Sequence, residues 1–505
     1  MRSGRNLFDK IYKVEDQNLV NHVNPVPKYV IELTKWCTEQ GVETMDGKRA
    51  VEGTKGMARR EFLTGSIRGA AGASLGVATL SLGSRSVLGA NERVNIALIG
   101  CGGRGSYVAR GLAEHGAEVT HVCDLHEGRL EEVAAFVAEG QDGRRPKKVK
   151  EMRQVFDARD VDAVVIATPD HWHGPAAILA CQAGKDVYVE KPHAHNIWES
   201  RKTVEAARKY DRILEVGTQN RSAAYNHAAL DYVKSGKIGD IHLVKVYNLK
   251  PGGPFRMGAP GTPPKGFNWD AWLGAAPERP YHQRIFGGGW HSFWDFSGGD
   301  IVDDGIHQVD LALMLMGDPG LPNAVSCSGG RLAHKGDDAQ TPDVQIVTYD
   351  FDDFVMTFEL TNYPPYMRKT TSTIRRNDLF PYWTQNATRI ELYGSKRMMT
   401  IGRHGGGWQV TTSGGKVVDQ MYGRFPDAEH QQNFIECVKN RKRPSADIEI
   451  AHAACTLVHM GNIAHRVGNQ KLRFDSKTGR FVDHAEANQL MKRTYRKEYE
   501  VPEQV

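Results

Sequence analysis

Cysteine is scarce in these 505 residues: there are seven, at positions 37, 101, 123, 181, 327, 437 and 455, and no two stand at a zinc-site spacing. An odd, scattered set argues against a disulfide framework, so the thiols are expected to be reduced. Long apolar runs are missing too. The weakly apolar stretch from Gly69 to Gly83 is too short and too glycine-rich to span a bilayer stably, so no membrane span is expected. An excess of charge is absent from the main body. Residues 1–90 hold 13 Lys/Arg against 9 Asp/Glu, which leaves 52 against 51 for the rest of the chain. That balance excludes a nucleic-acid footprint. What remains is an ordinary soluble, globular composition, long enough for two or three domains.

From Met57 the text changes character, in MARREFLTGSIRGAAGASLGVATLSLGSRSVLGAN. Arg59 and Arg60, with Phe62 and Leu63 behind them, precede a run of small and apolar residues, then Arg85 and a small-residue end near Gly89 and Ala90. This resembles a twin-arginine export signal, so residues 57–90 are expected to engage the twin-arginine export machinery and the product to be periplasmic or secreted. Such signals begin near a start site. Translation is therefore expected to begin at Met57, with residues 1–56 either an upstream misreading or a dispensable extension. Because that route carries folded proteins, often around a cofactor, a nucleotide or metal site is expected downstream.

RVNIALIGCGGRGSYVARGLAEHGAEVTHVCDLHEGRL follows at once. Val94–Ile99 reads as a strand, Gly100, Gly102, Gly103, Arg104 and Gly105 lie in a GxGxxG turn, Ser106–His115 as a helix, and Glu118–Cys123 as a second strand ending on Asp124. Gly100 serves the tight turn, Gly102 the close approach of a pyrophosphate, and Gly105 the packing of helix on strand. Free N–H groups at the helix start favour the phosphates. Asp124 would accept hydrogen bonds from the ribose hydroxyls and repel a 2′-phosphate, which favours NAD, while His126 and Arg129 keep NADP possible. Further strands at 162–167, 186–190 and 213–216, with helices from Pro175 and Asn196, predict a doubly wound parallel sheet over 91–218.

The fourth of these strands ends in VYVEKPHAHN, so Lys191 stands at a carboxyl end, where ligands of such sheets bind. Pro192 biases it away from helical geometry. In GGDIVDDGIHQVDLALMLMG, Asp303 precedes His307 by one helical turn, which would place carboxylate and imidazole on one face, as a proton-abstracting pair needs. A helix cap and an unrelated polar contact would show the same spacing.

GCGGRG, TPDHWH at 168–173, AGKDVYVEKP and GGDIVDDGIHQVDL together, in this order, resemble the Gfo/Idh/MocA oxidoreductases over most of 91–475. The resemblance implies that Lys191, Asp303 and His307 form the catalytic set, and that Thr168, Pro169, His173, Glu190 and Lys191 join the glycine turn and Asp124 around the nicotinamide nucleotide. Lys191 would hold the reacting oxygen and His307 would take the hydroxyl proton while the carbon-bound hydrogen leaves as hydride, with Asp303 orienting His307 or the substrate. His171, His173, His193 and His195 raise a metal site. No cysteine or clustered carboxylate accompanies them, and none is expected.

After Gly217, IHLVKVYN, VQIVTYDFDDFVMTFEL and TRIELYGSKRMMTIG read as long strands and hairpins, and a large open, mainly antiparallel sheet is predicted in an α+β domain over 219–475, with 476–505 as a tail. The resemblance implies that this sheet lines the substrate cleft and pairs subunits into a homo-oligomer. Aromatic segments at 251–299 and 363–386 suit either a carbohydrate or the packing of irregular loops. The function expected is an exported NAD(P)-dependent oxidoreductase of a sugar, polyol or glycoside secondary alcohol. The alternatives are an NAD-dependent glycoside-cleaving enzyme working by transient oxidation, and a non-catalytic NAD-binding scaffold.

Overall fold

A computed structural model of the chain describes residues 93–362 and 365–505. The expected export signal, the extension before it and Cys37 lie outside the described residues. Among the described residues, no helix is long and apolar enough to cross a membrane.

The first sheet has six strands: β1 Asn95–Ile99, β2 Glu118–Cys123, β3 Lys147–Val149, β4 Ala163–Ile166, β5 Asp186–Val189 and β6 Leu214–Val216. All its pairings are parallel, in the order β3-β2-β1-β4-β5-β6. This is the doubly wound order in which the chain reverses between β1 and β4, opening a crevice at their carboxyl ends. Strand β3 was not expected; only its last residue is buried, so it carries little apolar signal. Helices α1 Gly103–Glu114, α2 Glu127–Gly140, α3 Asp170–Gln182 and α4 Ile197–Lys209 cover the sheet. Asn196 caps α4, its side chain accepting from Glu199 N at 2.9 Å.

Helix α3 begins at Asp170, five residues before the expected start at Pro175. The proline lies inside the helix, where its missing N–H leaves the carbonyl of His171 without an intrahelical partner. Arg493, far along the chain, donates to that carbonyl from Nη2 at 2.7 Å. A partner 322 residues away cannot be read from local sequence.

The second sheet has ten strands: β7 Ile241–Leu249, β8 Ala324–Gly330, β9 Val344–Asp350, β10 Val355–Thr361, β11 Arg389–Gly394, β12 Met398–Gly402, β13 Trp408–Thr411, β14 Val417–Met421, β15 Leu472–Asp475 and β16 Arg480–Phe481. The order is β14-β13-β12-β11-β7-β10-β9-β8-β15-β16, antiparallel throughout except for β10 against β7. Alternation along β10 puts Met356, Phe358 and Leu360 inward. They meet Val244, Val246, Leu311, Leu457 and Met460 in the largest core, under α5 Ala224–Lys234, α6 Gly305–Leu315 and α8 Ile448–Arg466.

C-terminal elements also return to the first sheet. Helix α7, Asp427–Asn440, buries Phe434, Ile435 and Val438 against Ile96, Leu98 and Tyr188. On the opposite face Ile448, Ala451, Val501 and Val505 join Val164, Ile166 and Leu214. The aromatic segment 251–299 forms a small core of its own, with Trp272, Tyr281, Phe286, Phe293 and Phe296 buried together. Trp269 and Trp272 stack at 4.5 Å between ring centroids. Most of these rings therefore serve loop packing, whereas Tyr366 and Tyr382 of the second segment are 67% and 71% exposed.

Candidate active site

The glycine turn between β1 and α1 is built by close approach. Gly100 has φ +96°, and a Cβ there would lie 2.5 Å from the carbonyl oxygen of Ala167; at Gly105 it would lie 2.1 Å from that of Gly100. Only glycine fits either place. At Gly102 and Gly103 a Cβ would meet nothing within 4 Å, so the turn faces open space there. Helix α1 starts beneath that space with no side-chain cap and no acid in its first turn. Its free N–H groups and dipole await an anion. Asp124 ends β2, with Oδ2 accepting from Cys101 N and Oδ1 from His126 N, each at 2.8 Å. This fixes the carboxylate beside the turn, where a ribose would lie. The residues thus fit a dinucleotide: an uncapped helix start, room over two glycines, a fixed acid, and a buried Thr168 Oγ1 without a partner. His126 is occupied in capping α2, and Arg129 lies 4.6 Å from the Phe286 ring centroid.

Glu190 and Lys191 leave β5 side by side. Arg104 Nε donates to Glu190 Oε1 at 2.8 Å, and its Nη1 reaches Asp427 Oδ1 at 3.2 Å, so the arginine of the glycine turn binds protein carboxylates. Burial opposes the charge of Glu190, yet Arg104 and Lys191 hold its carboxyl below the usual range. Pro169 precedes α3, and His173 on its first turn bridges two loops, with Nδ1 2.6 Å from the Pro192 carbonyl and Nε2 2.7 Å from that of Thr168.

Asp303 ends a short helix, Asp300–Asp303, and α6 starts afresh at Gly305. The expected one-turn pairing of Asp303 with His307 is not what forms. Asp303 takes Lys191 instead: the ammonium donates to Oδ1 and to the backbone carbonyl, both at 2.6 Å. The helix is interrupted between the two residues, and the strand end after β5 delivers a cation that Asp303 takes in preference to a neutral ring. Burial disfavours both charges, but the pairing prevails, raising Lys191 and lowering Asp303. His307 is buried, with Nδ1 unpartnered. Burial first, then Arg403 and Lys191, push its pKa well below the ordinary histidine value, so it is neutral and keeps a lone pair for a proton.

His171, His193 and His195 have protein partners: Trp272 O at 2.8 Å, Ser200 Oγ at 2.7 Å and Trp294 O at 2.9 Å. Among the described residues no group of three His, Cys, Asp or Glu side chains is arranged to hold a metal ion.

Several groups at the site had no sequence signal. His291, from the aromatic segment, sets Nε2 3.6 Å from Asp303 Oδ1, with Nδ1 2.6 Å from the Gly288 carbonyl and its ring on Trp290. Asp304 is buried beside Lys250, Lys369 and Arg403. Of these Lys250 and Arg403 carried a hint, each a cation directly after a strand, like Lys191.

Two family models match the chain. One, described as an oxidoreductase family NAD-binding Rossmann fold, covers residues 94–218. The other, an oxidoreductase family C-terminal alpha/beta domain, covers 257–357 and 396–501. A scyllo-inositol 2-dehydrogenase (NAD(+)) of Bacillus subtilis (strain 168) is 28% identical over 364 residues, 70% of this chain and 88% of that protein. A glycosyl hydrolase family 109 protein of Solibacter usitatus is 31% identical over 205 residues, 38% of this chain and 45% of that protein. The solved structure of a levoglucosan dehydrogenase with NADH and levoglucosan shares the fold at a TM-score of 0.55 and 17% identity, covering 75% of this chain and 99% of that one. With both domains matched, the chain belongs to the Gfo/Idh/MocA family of oxidoreductases and carries its NAD-binding Rossmann domain.

Proposed function

We propose that this oxidoreductase transfers hydride between a secondary alcohol or carbonyl of a sugar, polyol or glycoside and a tightly held nicotinamide nucleotide. The observation that carries the reading is the meeting of Lys191, from the end of β5, with Asp303, one turn before the neutral His307. Gly102, Gly103, the α1 N-terminus, Asp124 and Thr168 would hold the nucleotide, which supplies the hydride acceptor when bound. Lys191, fixed by Asp303, donates a hydrogen bond from Nζ to the reacting oxygen and favours its alkoxide character. His307 accepts the hydroxyl proton and returns it in the reverse direction. The inositol dehydrogenase similarity supports a polyol or sugar.

A second reading is glycoside cleavage by transient oxidation, favoured by the partial similarity to glycosyl hydrolase family 109. Export by the twin-arginine route, resting on Arg59, Arg60 and the stretch behind them, would suit either reading, since a cofactor regenerated within each cycle need not dissociate. We propose a homo-oligomer joined through the second sheet.

Lys191→Ala tests the reading. Turnover of a substrate is expected to fall by roughly 10²–10³-fold, with nucleotide still found by mass spectrometry after denaturation. A scaffold protein would show no Lys191-dependent turnover at all.

A further inference from the structure

Five charged side chains form an ion-pair cluster around Asp304, three residues before His307, and none of them is assigned a contact with the substrate above. Lys250 sets Nζ 2.5 Å from Asp300 Oδ1 and 3.2 Å from Asp304 Oδ2. Lys369 Nζ is 2.7 Å from the same Asp304 oxygen, and Arg403 Nη2 is 3.9 Å from Asp304 Oδ1. Three cations face two carboxylates, leaving one positive charge in excess. Of the three cations Arg403 is the buried one with no close counter-charge, and a buried charge left so is unfavourable until a counter-ion meets it.

Arg403 shows where the deficit lies. It is 5% exposed, its Nε is buried with no hydrogen-bond partner, and its nearest Asp304 oxygen is beyond hydrogen-bond reach. Burial lowers its pKa to about 10, Asp304 opposing and Arg375 adding to the fall. Neighbouring His404, which pairs with Thr388 Oγ1 at 2.9 Å, is kept neutral by burial and adds no charge. Lys369, with 38% of its side chain exposed, gives the cluster a face toward solvent. The cluster adjoins the Lys191–Asp303 pair through Asp304, which directly follows Asp303 and whose carbonyl accepts from His307 N at 3.2 Å. Asp300, Asp304 and Arg403 fall inside the stretches matched by the C-terminal family model, and Lys250 and Lys369 fall outside them.

We propose that Lys369 and Arg403, backed by Lys250, form an anion subsite, and that the substrate is a sugar or polyol bearing one carboxylate, of the uronate class. A single excess charge matches a monoanion better than a phosphate dianion, and a guanidinium fork suits a planar carboxylate. This rests on the oxidoreductase reading of the same site.

The test is calorimetric titration of the NAD-loaded protein with matched methyl glycosides and methyl uronosides in the gluco, galacto and manno series, with sugar phosphates as a third arm. In at least one series the uronoside is expected to bind about tenfold more tightly than its neutral partner. That preference should shrink with added salt and vanish in Arg403→Gln and in Lys369→Met. Lys369 is partly exposed, so its variant reports even where Arg403→Gln fails to fold. Equal or better binding of neutral sugars, a preference that survives both variants, tighter binding of the phosphates, or no binding in any series would overturn the subsite. Retained nucleotide separates the failures: a protein that holds NAD and treats acid and neutral sugars alike keeps the oxidoreductase reading, and one that holds no NAD loses both.

Discussion

Gly102 and Gly105 stand three residues apart and serve opposite ends of the same turn. A Cβ at Gly105 would strike the Gly100 carbonyl at 2.1 Å, so Gly105→Ala must push α1 off β1. Gly102→Ala meets nothing in the protein and intrudes only where a pyrophosphate would lie. We expect Gly102→Ala to melt within about 0.5 kcal/mol of the parent while nucleotide affinity falls by roughly tenfold or more. Gly105→Ala is expected to lower stability and affinity together, both read by thermal melts with and without NAD. His307 adds a pH signature. A base must be neutral, and its pKa is held well below the ordinary histidine value, so kcat/KM for oxidation should stay level as pH falls through 6.5. A fall centred on that pH would mean that His307 titrates as an exposed histidine does.

Among the elements, the C-terminal segment ties together parts of the site from far along the chain. Arg493 Nε donates to the buried Glu199 of α4 at 2.7 Å, beside Tyr495 at 2.6 Å, while its Nη2 satisfies the carbonyl orphaned by Pro175. Arg496 and Tyr499 reach Asp270 in the aromatic segment. One short stretch thus fastens the helix carrying His173 to the segment carrying His291. Arg493→Ala leaves a fully buried carboxylate without its cation, though still bonded to Tyr495, and a helix carbonyl unpaired. It is expected to destabilise the protein by about 3–5 kcal/mol in urea unfolding, with Arg493→Lys retaining part of the loss. A change below about 1 kcal/mol would show that water replaces the guanidinium without strain.

At the scale of the whole molecule, burial of neutral imidazoles governs acid stability. Burial holds His171 near 3 and His430, His452 and His459 near 4, while in the unfolded chain each titrates near its ordinary value of 6.5. Because these folded values are depressed, the unfolded state binds more protons between about pH 6.5 and 4. Stability is complete above that window and falls as pH drops through it, by up to about 1.4 kcal/mol per pH unit for each ring. Asp303 and Asp304, both lowered, resist until more acidic pH. Chemical denaturation at pH 7.5, 6 and 5 should therefore show a steep loss of midpoint. A flat profile would mean that the rings are offset by Asp170, Glu215 and Asp310, whose carboxyls burial raises and which act with the opposite sign.

What the sequence determined by itself is local: alternating apolar runs and helices, glycines at turn spacing, acids and cations at strand ends, and motifs in family order. These follow from periodicity and steric rules acting over a few residues, so the parallel sheet, Asp124 beside its turn and Lys191 at a carboxyl end were legible. Tertiary structure decided which charges meet. Asp303 prefers an ammonium 112 residues away to an imidazole four residues on, and Asp304 gathers cations from three separate segments. Arg493 completes a helix broken by its own proline. Pairings of this kind depend on burial, because removing water makes an unpaired charge or carbonyl unfavourable, and burial is known only when the elements pack.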